Sequence, residues 1–185
     1  LAANGITPWT PETPALYTLR VTVTANGTAD TTEQRIGIRT IQVSSKTGLL
    51  LNGQPRTMKG GCIHHDLGIL GAADHAAAER RRIRLMKESG FDAIRAAHNP
   101  FGPAFLDACD ELGMLVVEEA FDEWVMGRTS FGLHVTFEQC WEKDLEDMIT
   151  RDYNHPCIVM WSTGNEVEER DGTADGFAWA KRLAD

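Results

Sequence analysis

The chain has 185 residues, 42% of them hydrophobic, enough to bury one sizeable core and too many for a disordered chain. Its 18 basic and 27 acidic side chains leave a net charge of -9 with no Lys/Arg-rich run, which argues against nucleic acid and anionic membrane surfaces as partners. No apolar stretch approaches the ~20 residues that span a bilayer, and the first residues lack a basic-then-apolar signal pattern, so a soluble protein is expected. The four cysteines, Cys62, Cys109, Cys140 and Cys157, show no C-x-x-C spacing and sit in apolar patterns. Buried thiols in a reducing, cytoplasmic compartment fit that usage better than disulfides or zinc.

Up to about residue 45 the sequence alternates. Strand-like runs over Leu16–Thr24 and Arg35–Val43 flank the turn-forming pair Asn26-Gly27, as in a piece of an antiparallel β-sandwich. Two or three strands cannot close a sandwich, so further strands are expected upstream. "LLLNGQPRTM" reads as a short hairpin through Asn52-Gly53 and as the hinge into a different architecture.

From Met58 onward strand and helix alternate. "MKGGCIH" precedes a helix that begins near Asp74, turns Ile83 and Met86 inward and stops at Gly90. "FDAIRAAH" is the next strand. Pro103 opens a second helix with Phe105, Cys109 and Leu112 inward and Gly113 at its end, and "MLVVEEAF" follows as a strand. A third helix starts with Thr136 and Gln139 at capping-box spacing and buries Phe137, Trp141, Leu145 and Met148. "CIVMWSTGNE" is the fourth strand, followed by helical "GFAWAKRLAD".

Such alternation implies a parallel sheet covered by helices. A doubly wound sheet would ask for a glycine fingerprint after its first strand, whereas Gly60-Gly61 lies within the strand. A (β/α)₈ barrel needs about 250 residues, so residues 46–185 would supply its first half. The expected fold class is therefore α/β, half a barrel (46–185) preceded by part of an all-β immunoglobulin-like sandwich (1–45).

Side chains with chemistry gather at the carboxyl ends of all four strands: His64, His65 and Asp66; Arg95 and His98; Glu118, Glu119 and Asp122; Asn165 and Glu166. Barrel enzymes build their sites on that rim. Loops are polar for ordinary reasons, which explains any one of these residues but not four strands in succession. Adjacent His64 and His65 point to opposite faces of a strand, which weakens a metal site built on "HHD". Arg95, flanked by Ile94 and Ala96, reads as a buried guanidinium that demands carboxylate partners.

The motif "RDYNHPCIVMWSTGNE", with "AIRAAHNP", "LLLNGQPRTMKGGCIHHD" and "WTPETPALYTLRVTV" before it, resembles glycoside hydrolase family 2, the β-galactosidase, β-glucuronidase and β-mannosidase family. The likeness covers nearly the whole chain. It implies a retaining exo-β-glycosidase, most simply a β-galactosidase, acting on a β-linked oligosaccharide or glycoside. Glu166 matches the family's general acid/base, which must hold a proton at neutral pH, donate it to the departing oxygen and then accept one from water. A neighbouring carboxylate and a mouth partly closed to water would favour the protonated form. The resemblance gives Asn165 to the sugar 2-hydroxyl, sets His64 and His98 against the sugar, and places Arg95 beneath the catalytic carboxylates. Asp122 and Trp124 are further candidate substrate contacts. Where many β-galactosidases continue "EA" with Asn and then Glu-x-His as magnesium ligands, this chain has "EAFDEW" with Val125 at the histidine's place. No cofactor is expected. The nucleophile, about 5–5.5 Å from the acid/base in a retaining enzyme, belongs by resemblance to a later strand, which denies that role to Glu118 and Glu119.

Rival readings are a β-glucuronidase or β-mannosidase of the same family, a metal-dependent barrel hydrolase using His64, Asp66, His98 and Glu118, and a carbohydrate-binding module without turnover. Open strand edges on a half barrel also predict a homo-oligomer, with no turnover by the segment alone.

Overall fold

The structure, a computed structural model, describes residues 5–185. Residues 1–4, the beginning of the expected sandwich segment, lie outside the described residues.

Strands β1 (Tyr17–Ala25) and β2 (Thr28–Ile36) form a regular antiparallel hairpin. Its turn is Asn26-Gly27, both with positive φ (51° and 77°), the geometry that a two-residue hairpin turn requires. The second strand thus starts earlier than the apolar pattern suggests. "TADTTEQR" is polar because both faces of this ribbon are exposed, and backbone pairing with β1 needs no apolar alternation. After a break at 37–40, β3 (Ile41–Ser44), β4 (Gly48–Leu51) and β5 (Gln54–Pro55) make a small sheet whose β4–β5 turn is Asn52-Gly53, as expected.

Four parallel strands follow in sequence order, β6 (Gly60–Ile63), β7 (Ala93–Ala96), β8 (Leu115–Glu119) and β9 (Ile158–Ser162). Between and after them run α1 (Ala76–Glu88), α2 (Pro103–Leu112), α3 (Phe137–Asp152) and α4 (Gly176–Ala184). This is the first half of a (β/α)₈ barrel, an open sheet with helices on its outer face. α2 begins on Pro103 and ends at Gly113, whose φ of 72° is the left-handed conformation that closes a helix. The capping box expected for α3 does not form. Thr136 precedes the helix without capping it, its hydroxyl donating instead to Leu133 O at 3.4 Å.

Two apolar clusters fill the structure. Phe101, Phe105, Leu106, Cys109, Leu115 and Ile158 join the sheet to α1 and α2, while Phe121, Phe137, Met148, Trp179 and Leu183 join the end of β8 to α3 and α4. Trp161 touches both, a packing role in keeping with its place in a strand. Trp9 anchors the sandwich segment to the barrel: it is fully buried and donates through Nε1 to Asp110 O at 2.9 Å. Arg39 adds hydrogen bonds to Pro156 O and Ile158 O, tying the same segment to the entry of β9. All four cysteines are free; Cys109 and Cys157 are buried, whereas Cys62, expected to be buried, is exposed on the open side of edge strand β6.

Candidate active site

β8 alternates. Glu118 and Glu119 therefore point to opposite sides of the sheet, and the two carboxyls have different fates. Glu119, fully buried, lies on the side of the mouth, across from Ser162 in the β8–β9 register. It accepts from Arg95 Nε (3.0 Å) and Nη2 (2.7 Å), from His98 Nδ1 (2.6 Å) and from Ser162 Oγ (2.7 Å). Both its oxygens are engaged, by donors from two neighbouring strands and the loop after β7. The carboxylate partner demanded by Arg95 is thus present. Arg95 itself is 34% exposed instead of buried, because the inner face of the four-stranded sheet is open.

His98 follows the cis peptide Ala97–His98. Because a carboxylate only accepts, the Nδ1 contact makes that nitrogen the donor and leaves Nε2 as the acceptor when the ring is neutral. The His64 ring stands edge-on to it, centroids 5.0 Å apart. His65 lies on the other face of β6, stacked on Phe101 at 4.1 Å, so the adjacent histidines do diverge.

From Arg95 a line of hydrogen bonds continues outward. Arg95 Nη2 donates to Asn165 Oδ1 (2.9 Å), and Asn165 Nδ2 donates to Asp122 Oδ1 (2.9 Å). The Asn165 amide is therefore fixed at both ends and buried. The next residue, Glu166, has a φ of 44° and a side chain that is 81% exposed. Instead of the expected neighbouring carboxylate, the group beside it is Arg128, Nη1 lying 3.8 Å from Oε2. Arg128 also bonds Asp122, through Oδ1 at 2.5 Å and the backbone carbonyl at 2.8 Å. These bonds, with the Asn165 amide, hold the Asp122 carboxyl below its ordinary range against the opposing effect of its partial burial.

Trp124 is buried and donates through Nε1 to Thr163 O at 2.8 Å. It supports the turn that carries Asn165 and Glu166 instead of offering an open face. Gly164 sits against it: a Cβ there would lie 2.7 Å from Trp124 Nε1. Glu123 is buried too, with Oε1 accepting from His134 N and Nδ1 and Oε2 from Arg128 N. Burial alone would raise its pKa, but these hydrogen bonds outweigh it and hold the carboxyl down at about 2.

Glu118 faces the helices. One oxygen accepts from Phe101 N at 2.8 Å and the other is buried without a partner. Burial pushes its pKa up to about 8, with Asp152 adding to the rise and the Phe101 N–H and Arg151 opposing it. Asp66 is drawn toward Arg82 at 3.6 Å. The set His64, Asp66, His98 and Glu118 therefore does not converge on one point, because β8 turns Glu118 away from the mouth. Among the described residues the group that could hold a metal is Asp110, His155 and Cys157, away from the mouth, and its Asp110 oxygens already accept from His155 Nδ1 and Cys157 N.

The structure thus joins Arg95, His98, Asn165, Asp122 and Glu166, with His64 against His98. Sequence reasoning overlooked Ser162 and Arg128. Ser162 was accessible from the β8–β9 register; Arg128, on an irregular loop, has no periodic signal.

Comparison with known proteins agrees with this architecture. Residues 41–185 match the family described as "Glycosyl hydrolases family 2, TIM barrel domain", and residues 3–39 match "Glycosyl hydrolases family 2". A beta-galactosidase of Bacteroides ovatus is 44% identical over 90% of this chain and 20% of its own length. A putative beta-glucuronidase of Formosa agariphila is 36% identical over 95% of the chain and 17% of its own length. A crystal structure of a glycosyl hydrolase family 2 member from Bacteroides cellulosilyticus superimposes with a TM-score of 0.91 at 42% identity, covering 96% of this chain and 23% of the other. The chain spans about a fifth of the length of the curated relatives it matches.

Proposed function

The chain belongs to glycosyl hydrolase family 2, and from that premise we propose that it carries the acid/base half of the active site of a retaining exo-β-glycosidase, a β-galactosidase in preference to a β-glucuronidase. The preference rests on the beta-galactosidase of Bacteroides ovatus, which has the higher identity of the two relatives described. One observation carries the reading. At the end of β9, Asn165 is locked between Arg95 and Asp122 while the adjacent Glu166 leaves the strand in a left-handed conformation with its carboxyl in the open mouth.

In the proposed reaction the protonated Glu166 gives its proton to the glycosidic oxygen as the C1–O bond breaks, and a carboxylate outside this segment forms an ester with C1. Glu166, now ionised, takes a proton from water as that water attacks C1 and releases the nucleophile. Asn165 offers its amide to the sugar 2-hydroxyl, and His98 and His64 line the sugar-binding side, while Arg95 fixes Asn165 from below. Asp122 orients Asn165, and Trp124 braces the turn. The mechanism uses no magnesium: Val125 has no donor atom, and both Glu123 oxygens are engaged by His134 and Arg128.

Glu166→Gln in the full-length enzyme tests this. Hydrolysis of unactivated β-galactosides, whose leaving groups need protonation, should be lost, while activated aryl β-galactosides keep much more of their rate. Equal losses for both classes would overturn the assignment.

A further inference from the structure

We infer that Arg128 is a positioning residue for the acid/base carboxyl of Glu166, held rigid by two buried carboxylates that serve no other site. The inference rests on the reaction proposed above and extends it to a residue on the loop after β8.

An arginine on a surface loop ordinarily wanders, because its side chain loses conformational freedom when it is fixed. The backbone under Arg128 is fixed twice. Glu123 Oε2 accepts from Arg128 N at 3.0 Å, and Glu169 Oε1 accepts from Met126 N. Glu123 is 5% exposed and Glu169 is fully buried. The loop is also dense between these points, since a Cβ on Gly127 would lie 2.1 Å from the His134 ring. Two buried acids thus hold one three-residue turn, and that turn delivers a guanidinium to the mouth.

The guanidinium completes a connected line. Glu119 holds Arg95, Arg95 holds Asn165, Asn165 holds Asp122, and Asp122 holds Arg128 through its carboxylate and its carbonyl. The far nitrogen of Arg128 then reaches Glu166 Oε2 at 3.8 Å, within ion-pair distance and beyond a direct hydrogen bond. Glu166 is otherwise a free, exposed side chain with several rotamers. Arg128 narrows them to those with the carboxyl near Asn165, whose amide is assigned to the sugar. Placement at the scissile bond matters steeply, since an error of about 1 Å can cost about a hundredfold in rate.

The experiment uses the full-length enzyme, with Arg128→Met and Arg128→Lys alone and in the Glu166→Gln background. Arg128→Met should lower kcat/KM for unactivated β-galactosides by about 10- to 100-fold and for activated aryl β-galactosides by less than about 3-fold, because only the former depend on a well-placed acid. Arg128→Lys should recover part of the loss. In the Glu166→Gln background the Arg128→Met loss should shrink to about 2-fold or less, as expected for two residues acting through one function. Thermal unfolding should be little changed, since Asp122 is 45% exposed and keeps Asn165. Equal losses for both substrate classes, or the same loss with and without Glu166, would overturn the inference while leaving the acid/base assignment standing. Failure of Glu166→Gln itself to discriminate between the substrates would instead remove the premise.

Discussion

Glu118 is a carboxyl with no exposed surface, one accepted hydrogen bond and one oxygen without a partner, and its neutral form should therefore be the folded one at neutral pH. Its pKa stands at about 8 in the fold against 4.5 for the ordinary side chain. Below 4.5 the group is protonated in both states and contributes no pH dependence. Between 4.5 and about 8 the unfolded chain releases a proton that the folded chain retains, so stability falls as pH rises and levels off above 8. At ~1.4 kcal/mol per pH unit this span amounts to about 3–5 kcal/mol. Glu118→Gln is neutral at every pH and can keep its carbonyl on Phe101 N. In urea titrations at pH 5, 7 and 9 the variant should match the parent within about 1 kcal/mol at pH 5 and exceed it by about 3–5 kcal/mol at pH 9. Asp152, Arg151 and His155, which share the local field, are common to both proteins and drop out of the difference. Destabilisation of Glu118→Gln by a similar amount at all three pH values would refute the reasoning, because it would mean that the fold holds an ionised Glu118.

Arg95→Met should cost about 3 kcal/mol in the same urea assay, since it strips the fork from a fully buried Glu119 and leaves only His98 and Ser162 to satisfy it. Arg95→Lys should be intermediate, because a point charge cannot reproduce the paired contacts. Gly164→Ala should lower kcat of the full-length enzyme about tenfold or more with the fold retained by circular dichroism, because the added methyl meets Trp124 Nε1 at 2.7 Å and Val167 Cγ1 at 2.9 Å and so displaces the turn bearing Glu166. An unchanged kcat would show that the turn is not braced by Trp124.

Much of the architecture was legible because the barrel half is periodic. Pro103, Gly113 and the Phe105/Cys109 stripe define α2 in the sequence as they do in space. The sandwich piece was less legible: β2 is a polar ribbon held by backbone pairing, so no apolar alternation marks it. At the site, the demand of Arg95 for an acid could be read from its neighbours Ile94 and Ala96, but which acid depended on strand alternation, which selects Glu119 and turns Glu118 to the helices. The roles of Asp122, Ser162 and Arg128 arise where separate loops meet. Their separations in sequence carry no period, and only the fold brings Arg128 to Glu166.

The most direct test of the acid/base assignment is chemical rescue of Glu166→Ala in the full-length enzyme. An aryl β-galactoside with a good leaving group can still form the sugar–enzyme ester, but water then attacks slowly without its base. Azide is a nucleophile that needs no base, so added azide should restore turnover and yield the β-galactosyl azide, with configuration retained by two successive inversions. Absence of any azide acceleration, or an α-configured azide, would contradict Glu166 as the acid/base of a retaining enzyme.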